Sequence, residues 1–62
     1  MIDLMVVVDG RRWRVAYDIT PTGWIVRCDG IQTELFGFAT FSEAVKAIQQ
    51  KIREKEAERG SH

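Results

Sequence analysis

From Ile2 to Phe36 apolar residues tend to recur at every second position, and from Phe41 onward at every third and fourth, so the chain divides into an extended half and a helical half. Two Asp-Gly pairs, Asp9-Gly10 and Asp29-Gly30, separate runs rich in β-branched and aromatic residues, which is the strongest short-range hairpin signal a sequence carries. Thr20-Pro21-Thr22-Gly23 supplies a further turn. A two-residue loop at Asp9-Gly10 sets Val6 opposite Trp13, Leu4 opposite Val15 and Ile2 opposite Tyr17, all on one side of a sheet. A four-residue loop at 20–23 then sets Ile19 against Trp24, Tyr17 against Val26 and Val15 against Cys28. The second Asp-Gly turn sets Cys28 against Ile31, Val26 against Thr33 and Trp24 against Leu35. The pattern predicts a four-stranded antiparallel meander over residues 2–8, 11–19, 24–28 and 31–36.

Thr40 and Glu43 have the spacing of a capping box, in which the Thr hydroxyl accepts from the Glu backbone N–H while the Glu carboxylate reaches back. This predicts a helix starting near Phe41 and running to about residue 58. Phe41, Ala44, Val45, Ile48 and Ile52 form one apolar stripe on it, able to close one face of the sheet. The fold class is therefore α+β, with β-β-β-β-α order and one C-terminal helix packed on one face of the meander. After Ile52 the sequence Arg53-Glu54-Lys55-Glu56-Ala57-Glu58-Arg59 is a solvated overhang supported by opposite charges three residues apart. Residues 1–59 read as a single domain. Gly60-Ser61-His62 reads as a disordered tail and could be the remnant of a purification tag.

The second sheet face carries Asp3, Met5, Val7, Arg12, Arg14, Ala16, Asp18, Ile25, Arg27, Gln32, Glu34 and Phe36. Its charges are mixed. Arg14 is expected opposite Asp29, and Arg27 has Asp18 and Glu34 as diagonal neighbours, so cross-strand pairs on a wet surface account for these arginines. Strand one differs, because Met5 and Val7 make it apolar on both faces while a meander leaves it at an edge. A long apolar edge strand in a soluble protein is ordinarily covered or paired with another chain. The expected partner is therefore a second copy, as a homo-oligomer of dimer type, or another protein. Met5, Val7, Ile25 and Phe36 are the expected interface residues.

Composition narrows the rest. A chain of 62 residues buries only about 60% of its unfolded surface, so its core gains from a supplement such as oligomerisation. One cysteine, Cys28, excludes a disulfide framework and fits a reducing, cytoplasmic setting. The 9 basic and 9 acidic residues cancel, which does not favour nucleic acid and leaves no net field for an anionic membrane. The longest uncharged apolar run, Leu4 to Val8, is far short of the roughly 20 residues of a membrane helix. No signal peptide is expected, because no long apolar run follows a basic start.

Chemistry is absent from the pattern. His62 is the sole histidine and lies in the tail, Ser42 belongs to the helix start, and Cys28 alternates onto the core face as a small hydrophobe. Asp9 and Asp29 are turn residues. Asp18 and Glu34 could approach across the outer face, as surface charges do. No Cys/His set has metal-ligand spacing and no glycine-rich run could cradle phosphate. No catalytic residues, no metal and no cofactor are expected, and the chain does not read as an enzyme. Trp13, Tyr17 and Trp24 fall on the helix-covered face, where they read as core and not as a stacking platform for bases.

Gly10-x-x-Trp13-x-Val15-x-Tyr17 followed by Phe38-x-Thr40-x-x-Glu43-Ala44-x-x-Ala47 resembles the small sheet-plus-helix DNA-binding domains of plant ethylene-response factors and of the arm-binding region of tyrosine integrases. The resemblance covers roughly residues 10–50. It implies a sheet laid in the major groove, with Arg12, Arg14, Arg27 and Gln32 contacting bases or phosphates. The chain departs from that pattern by an additional apolar first strand, and residues 1–36 hold four basic against five acidic residues. The same strand-into-capped-helix signature is similar to that of HicB-like antitoxins. The agreement of turns, alternation, capping and helix charge is also what a designed protein without natural function would have. Met5, Cys28 and the Thr-Pro-Thr-Gly turn are less idealised than a design and favour a natural origin. The leading expectation is a small non-catalytic interaction module acting through its first strand and outer sheet face, with DNA binding as the alternative.

Overall fold

Asp9 and Asp29 take φ of 51° and 44°, and the glycine after each takes φ of 81°. Two successive residues with positive φ make the hairpin turn whose twist matches that of its strands, which is why each pair ends in glycine. The computed structural model describes residues 1–60, with side chains through residue 58. In it the first turn joins β1 (Ile2–Val8) to β2 (Arg11–Thr20), and the last joins β3 (Gly23–Cys28) to β4 (Ile31–Phe36). The four strands form one antiparallel sheet in the order β1-β2-β3-β4, and α1 (Phe41–Gly60) packs on it.

The register agrees with the hydrophobic pattern: Ile2 pairs with Tyr17, Leu4 with Val15, Val6 with Trp13, Tyr17 with Val26 and Trp24 with Leu35. The middle connection is tighter than the expected four-residue loop. Thr20 pairs with Gly23, leaving Pro21 and Thr22 as the loop, and the β2/β3 ladder stops at Ala16–Arg27, short of a Val15–Cys28 pair. Glycine at 23 permits this. A Cβ there would collide with the Leu35 carbonyl oxygen of the next strand, so only a bare backbone fits between Thr20 and Phe36.

The helix begins where its cap requires. The Glu43 N–H donates to the Thr40 hydroxyl at 3.2 Å, and the Glu43 carboxylate accepts from the Thr40 N–H at 3.3 Å. Its stripe of Ala44, Ile48 and Ile52 is fully buried against Val6, Val8, Val15, Tyr17, Val26 and Cys28. α1 ends at Gly60, and the remaining residues expected in the tail, 61 and 62, lie outside the described residues.

Four contacts fix how α1 lies. Its entry is tied to the start of β3, where the Trp24 indole N–H donates to the Ala39 carbonyl at 2.9 Å and the Phe41 ring lies tilted against Trp24 with centroids 5.8 Å apart. Its middle reaches the end of β1, where the Gln49 amide donates to the Val7 carbonyl at 3.4 Å. Farther on, Glu56 meets Arg11 at 3.2 Å, a charge expected to pair within the helix. The helix therefore crosses the sheet diagonally. It covers the end of β1 and leaves its beginning bare: on the same face Val6 and Val8 are 6% and 2% exposed, but Ile2 and Leu4 are 40% and 45% exposed. Ile19, expected under the helix as Trp24's partner, is 71% exposed at that same corner.

Candidate functional site

The side chains singled out on the outer sheet face do not form one patch. In the ladder Met5 stands opposite Arg14 and Val7 opposite Arg12, at the Asp9-Gly10 end of β1. Ile25 stands opposite Asp18 and Glu34, and Phe36 opposite Gly23, at the other end of the sheet and on its far side. Met5 and Val7 are thus one apolar pair and Ile25 with Phe36 another. Met5, Val7 and Phe36 are exposed, while Ile25 is half-buried.

Between the two pairs runs a polar row. Asp3, Ala16, Arg27 and Gln32 follow one another across all four strands. Ala16 is the small member of that row, and the surface dips there into an open depression of about 380 Å³ lined by Asp3, Arg14, Ala16, Arg27, Gln32 and the Asp29-Gly30 turn. The structure thus brings together Arg14, Arg27 and Gln32, three of the four residues expected to touch DNA. Arg12 lies outside the depression. Two carboxylates share it with two guanidiniums, so its field is mixed. Arg27 is 4.0 Å from Asp18, which also approaches the N-terminal ammonium at 3.9 Å, and Gln32 donates to Glu34 at 3.5 Å. These are exposed, loose contacts that hold no side chain rigidly.

Cys28 is a buried free thiol whose pKa is pushed up, first by burial and then by the negative charge of Asp29, so it is a poorer thiolate than an exposed cysteine. Burial also pushes the Tyr17 phenol up, and Cys28 adds in the same direction. Among the described residues no group of three or more His, Cys, Asp or Glu side chains could hold a metal ion, and no helix is long and apolar enough to cross a membrane.

The backbone of β1 is the other distinctive feature. Val8 and Arg11 close a two-residue turn and bond to each other, so alternate residues Val7, Met5 and Asp3 direct their N–H and C=O groups away from β2. The bond from Gln49 to the Val7 carbonyl agrees with this geometry. Among the described residues, no side chain bonds the outward N–H and C=O groups of Met5 and Asp3. Sequence reasoning found this edge and the outward Met5 and Val7, but it missed Ile2, Leu4 and Ile19, which it assigned to the core. Their signal was dimensional: four strands about 4.8 Å apart make a face wider than one helix of about 10 Å can cover. Compared with known protein families, curated proteins and solved structures, the chain matches none of them.

Proposed function

We propose that this chain is a small non-catalytic interaction module that self-associates or binds a protein partner through β1 and the sheet faces beside it. One observation carries the reading: β1 exposes Ile2 and Leu4 on its helix side and Met5 and Val7 on its outer side, along an edge that no other strand of the chain pairs. Its single buried thiol suits a reducing, cytoplasmic setting. Light scattering tests it. Val7→Lys puts a charge on the outer face while leaving the helix-facing Val6 and Val8 untouched, and it reduces the apparent mass of the assembly without abolishing the folded circular-dichroism signal. If the unaltered chain runs as a monomer at high micromolar concentration, self-association is wrong.

A second reading is a DNA-binding domain of the integrase-arm type. The grouping of Arg14, Arg27 and Gln32 in one depression supports it, and Asp3 and Asp29 in the same depression weigh against it. Titration with duplex DNA at low salt decides. A micromolar constant with a steep salt slope favours this reading, and absent or millimolar binding removes it.

A further inference from the structure

We infer that the partner of β1 is a second copy of this chain, paired antiparallel across a two-fold axis that passes through Met5. The inference rests on the reading of β1 as an interaction strand and names its occupant and register. Each copy then offers its bare end of β1 to the covered end of the other.

The helix-facing side of β1 carries a gradient. Ile2 and Leu4 are 40% and 45% exposed, while Val6 and Val8 are 6% and 2% exposed beneath α1. A second β1 laid antiparallel in the Met5-centred register puts Leu4 opposite Val6 of the second copy and Ile2 opposite its Val8. The exposed pair of one copy thus lies beside the pair that the other copy's helix already shelters. The contact is self-complementary, as a two-fold interface must be. A parallel pair displaced by four residues shelters the bare end of one copy only, and antiparallel registers centred on Leu4 or Val6 match fewer such pairs.

Backbone parity admits this register. Asp3, Met5 and Val7 are the residues whose N–H and C=O groups leave the sheet, so a narrow pair must join odd residues to odd residues. The Met5-centred register pairs Met5 with Met5 and Asp3 with Val7 of the second copy, which uses all three. Charge selects among the neighbours. Centring on Leu4 would make the two Asp3 side chains diagonal neighbours on the outer face, and centring on Val6 would set Asp3 opposite Asp9. Centring on Met5 moves the two aspartates to opposite ends of the contact. It also sets each Asp3 beside a Val7 whose other neighbour is Arg12, so opposite charges share a row.

The surface available is adequate. A standard interface takes about 800 Å² from each partner, under a fifth of the 4486 Å² this chain exposes. Of the nine large apolar side chains exposed among the described residues, only Phe36 and Phe38 lie away from β1 and the bare corner beside it. Gln49 sets a limit on the pairing, because it already donates to the Val7 carbonyl; that oxygen either accepts from both donors or releases the amide.

Cysteine cross-linking reads the register directly. Residues facing each other in a narrow antiparallel pair have Cα atoms about 5.5 Å apart, within the range a disulfide spans, and only the residue on the axis faces its own copy. Met5→Cys, Leu4→Cys and Val7→Cys are each oxidised mildly with glutathione disulfide and separated on a non-reducing gel. The unaltered chain, whose Cys28 is buried, is the control. Met5→Cys is expected to give about ten-fold more covalent dimer than either of the others, whose sulfurs fall off the axis. A dimer by light scattering that Val7→Lys splits, but whose strongest cross-link is at Leu4→Cys or Val7→Cys, overturns the register and leaves the interaction-strand reading standing. A dimer that cross-links at none of the three overturns the register as well. A chain that is monomeric at high micromolar concentration overturns both.

Discussion

The two edges of the sheet are built differently. On β4 the residues facing outward are Gln32, Glu34 and Phe36, and those facing the helix, Ile31, Thr33 and Leu35, are half-buried along the whole strand. On β1 the outward residues include Met5 and Val7, and burial on the helix side runs from bare to complete within four residues. Polar side chains on an edge discourage another strand from docking, and β4 has them. β1 has only Asp3. The difference teaches that one helix on a four-stranded sheet must favour part of it: α1 covers β4 evenly but partly, whereas on β1 it buries Val6 and Val8 and leaves Ile2 and Leu4 exposed.

The core that both edges share should respond most strongly. Ile48 is fully buried between the strands and the helix, and Ile48→Ala is expected to cost about 2–5 kcal/mol, read from the urea midpoint. A change no larger than that of a surface substitution would mean that α1 does not clamp the sheet, and the contrast between the edges would lose its cause.

The same deletion made at each edge tests the contrast itself. Leu35 packs against the core from β4, whereas Leu4 is nearly half exposed on β1. Full burial of a leucine is worth about 1.5–3 kcal/mol, so in dilute solution Leu35→Ala is expected to cost about 2 kcal/mol and Leu4→Ala about 1 kcal/mol or less. At concentrations where the chain associates, the Leu4→Ala cost should grow with concentration while the Leu35→Ala cost stays fixed. Equal, concentration-independent costs would make the edges equivalent.

Much of this fold is legible in the residues because its determinants are local. Asp9-Gly10 and Asp29-Gly30 specify turns whose two-residue length fixes the register of the strands they join, and Thr40 with Glu43 specifies where the helix begins. The separation of Met5 and Val7 from Ile25 and Phe36 follows from that register too, once the rows are traced across all four strands. The bareness of Ile2, Leu4 and Ile19 is not local. It depends on the angle at which α1 crosses, and that angle is set by contacts between residues far apart in the chain: Trp24 with Ala39, Val7 with Gln49, and Arg11 with Glu56. None of these pairs has a spacing that could announce it. The candidate site was legible in the same proportion: alternation marked the apolar edge, and only the helix's path revealed the corner beside it.

A small effect of the opposite sign lies at the boundary between the two regimes. Tyr17 pairs with Ile2 at the bare end of β1, yet it is itself fully buried, with the Phe41 ring tilted against it at 4.9 Å between centroids. Among the described residues its hydroxyl meets no hydrogen-bond partner, and a buried hydroxyl left so costs about 1–3 kcal/mol. Tyr17→Phe is therefore expected to stabilise the chain by about 1 kcal/mol at neutral pH, the low end of that range because the ring's packing is unchanged. The pH dependence follows from the raised phenol and thiol. Near pH 7 both groups keep their protons whether the chain is folded or not, and they contribute no slope. Above the ordinary thiol value of about 8.5, and then the ordinary phenol value of about 10, the unfolded chain releases protons that the native state still holds. Stability then falls as pH rises, first through Cys28 and later through Tyr17, until the folded groups ionise in turn. Thermal unfolding of the native chain and of Tyr17→Phe between pH 7 and pH 11 should give curves that diverge above about pH 10, with the variant falling less steeply. Parallel curves would mean that the phenol is hydrated in the folded chain. The bare corner would then admit water as far as Tyr17, and the boundary between covered and uncovered sheet would lie one strand closer to the core.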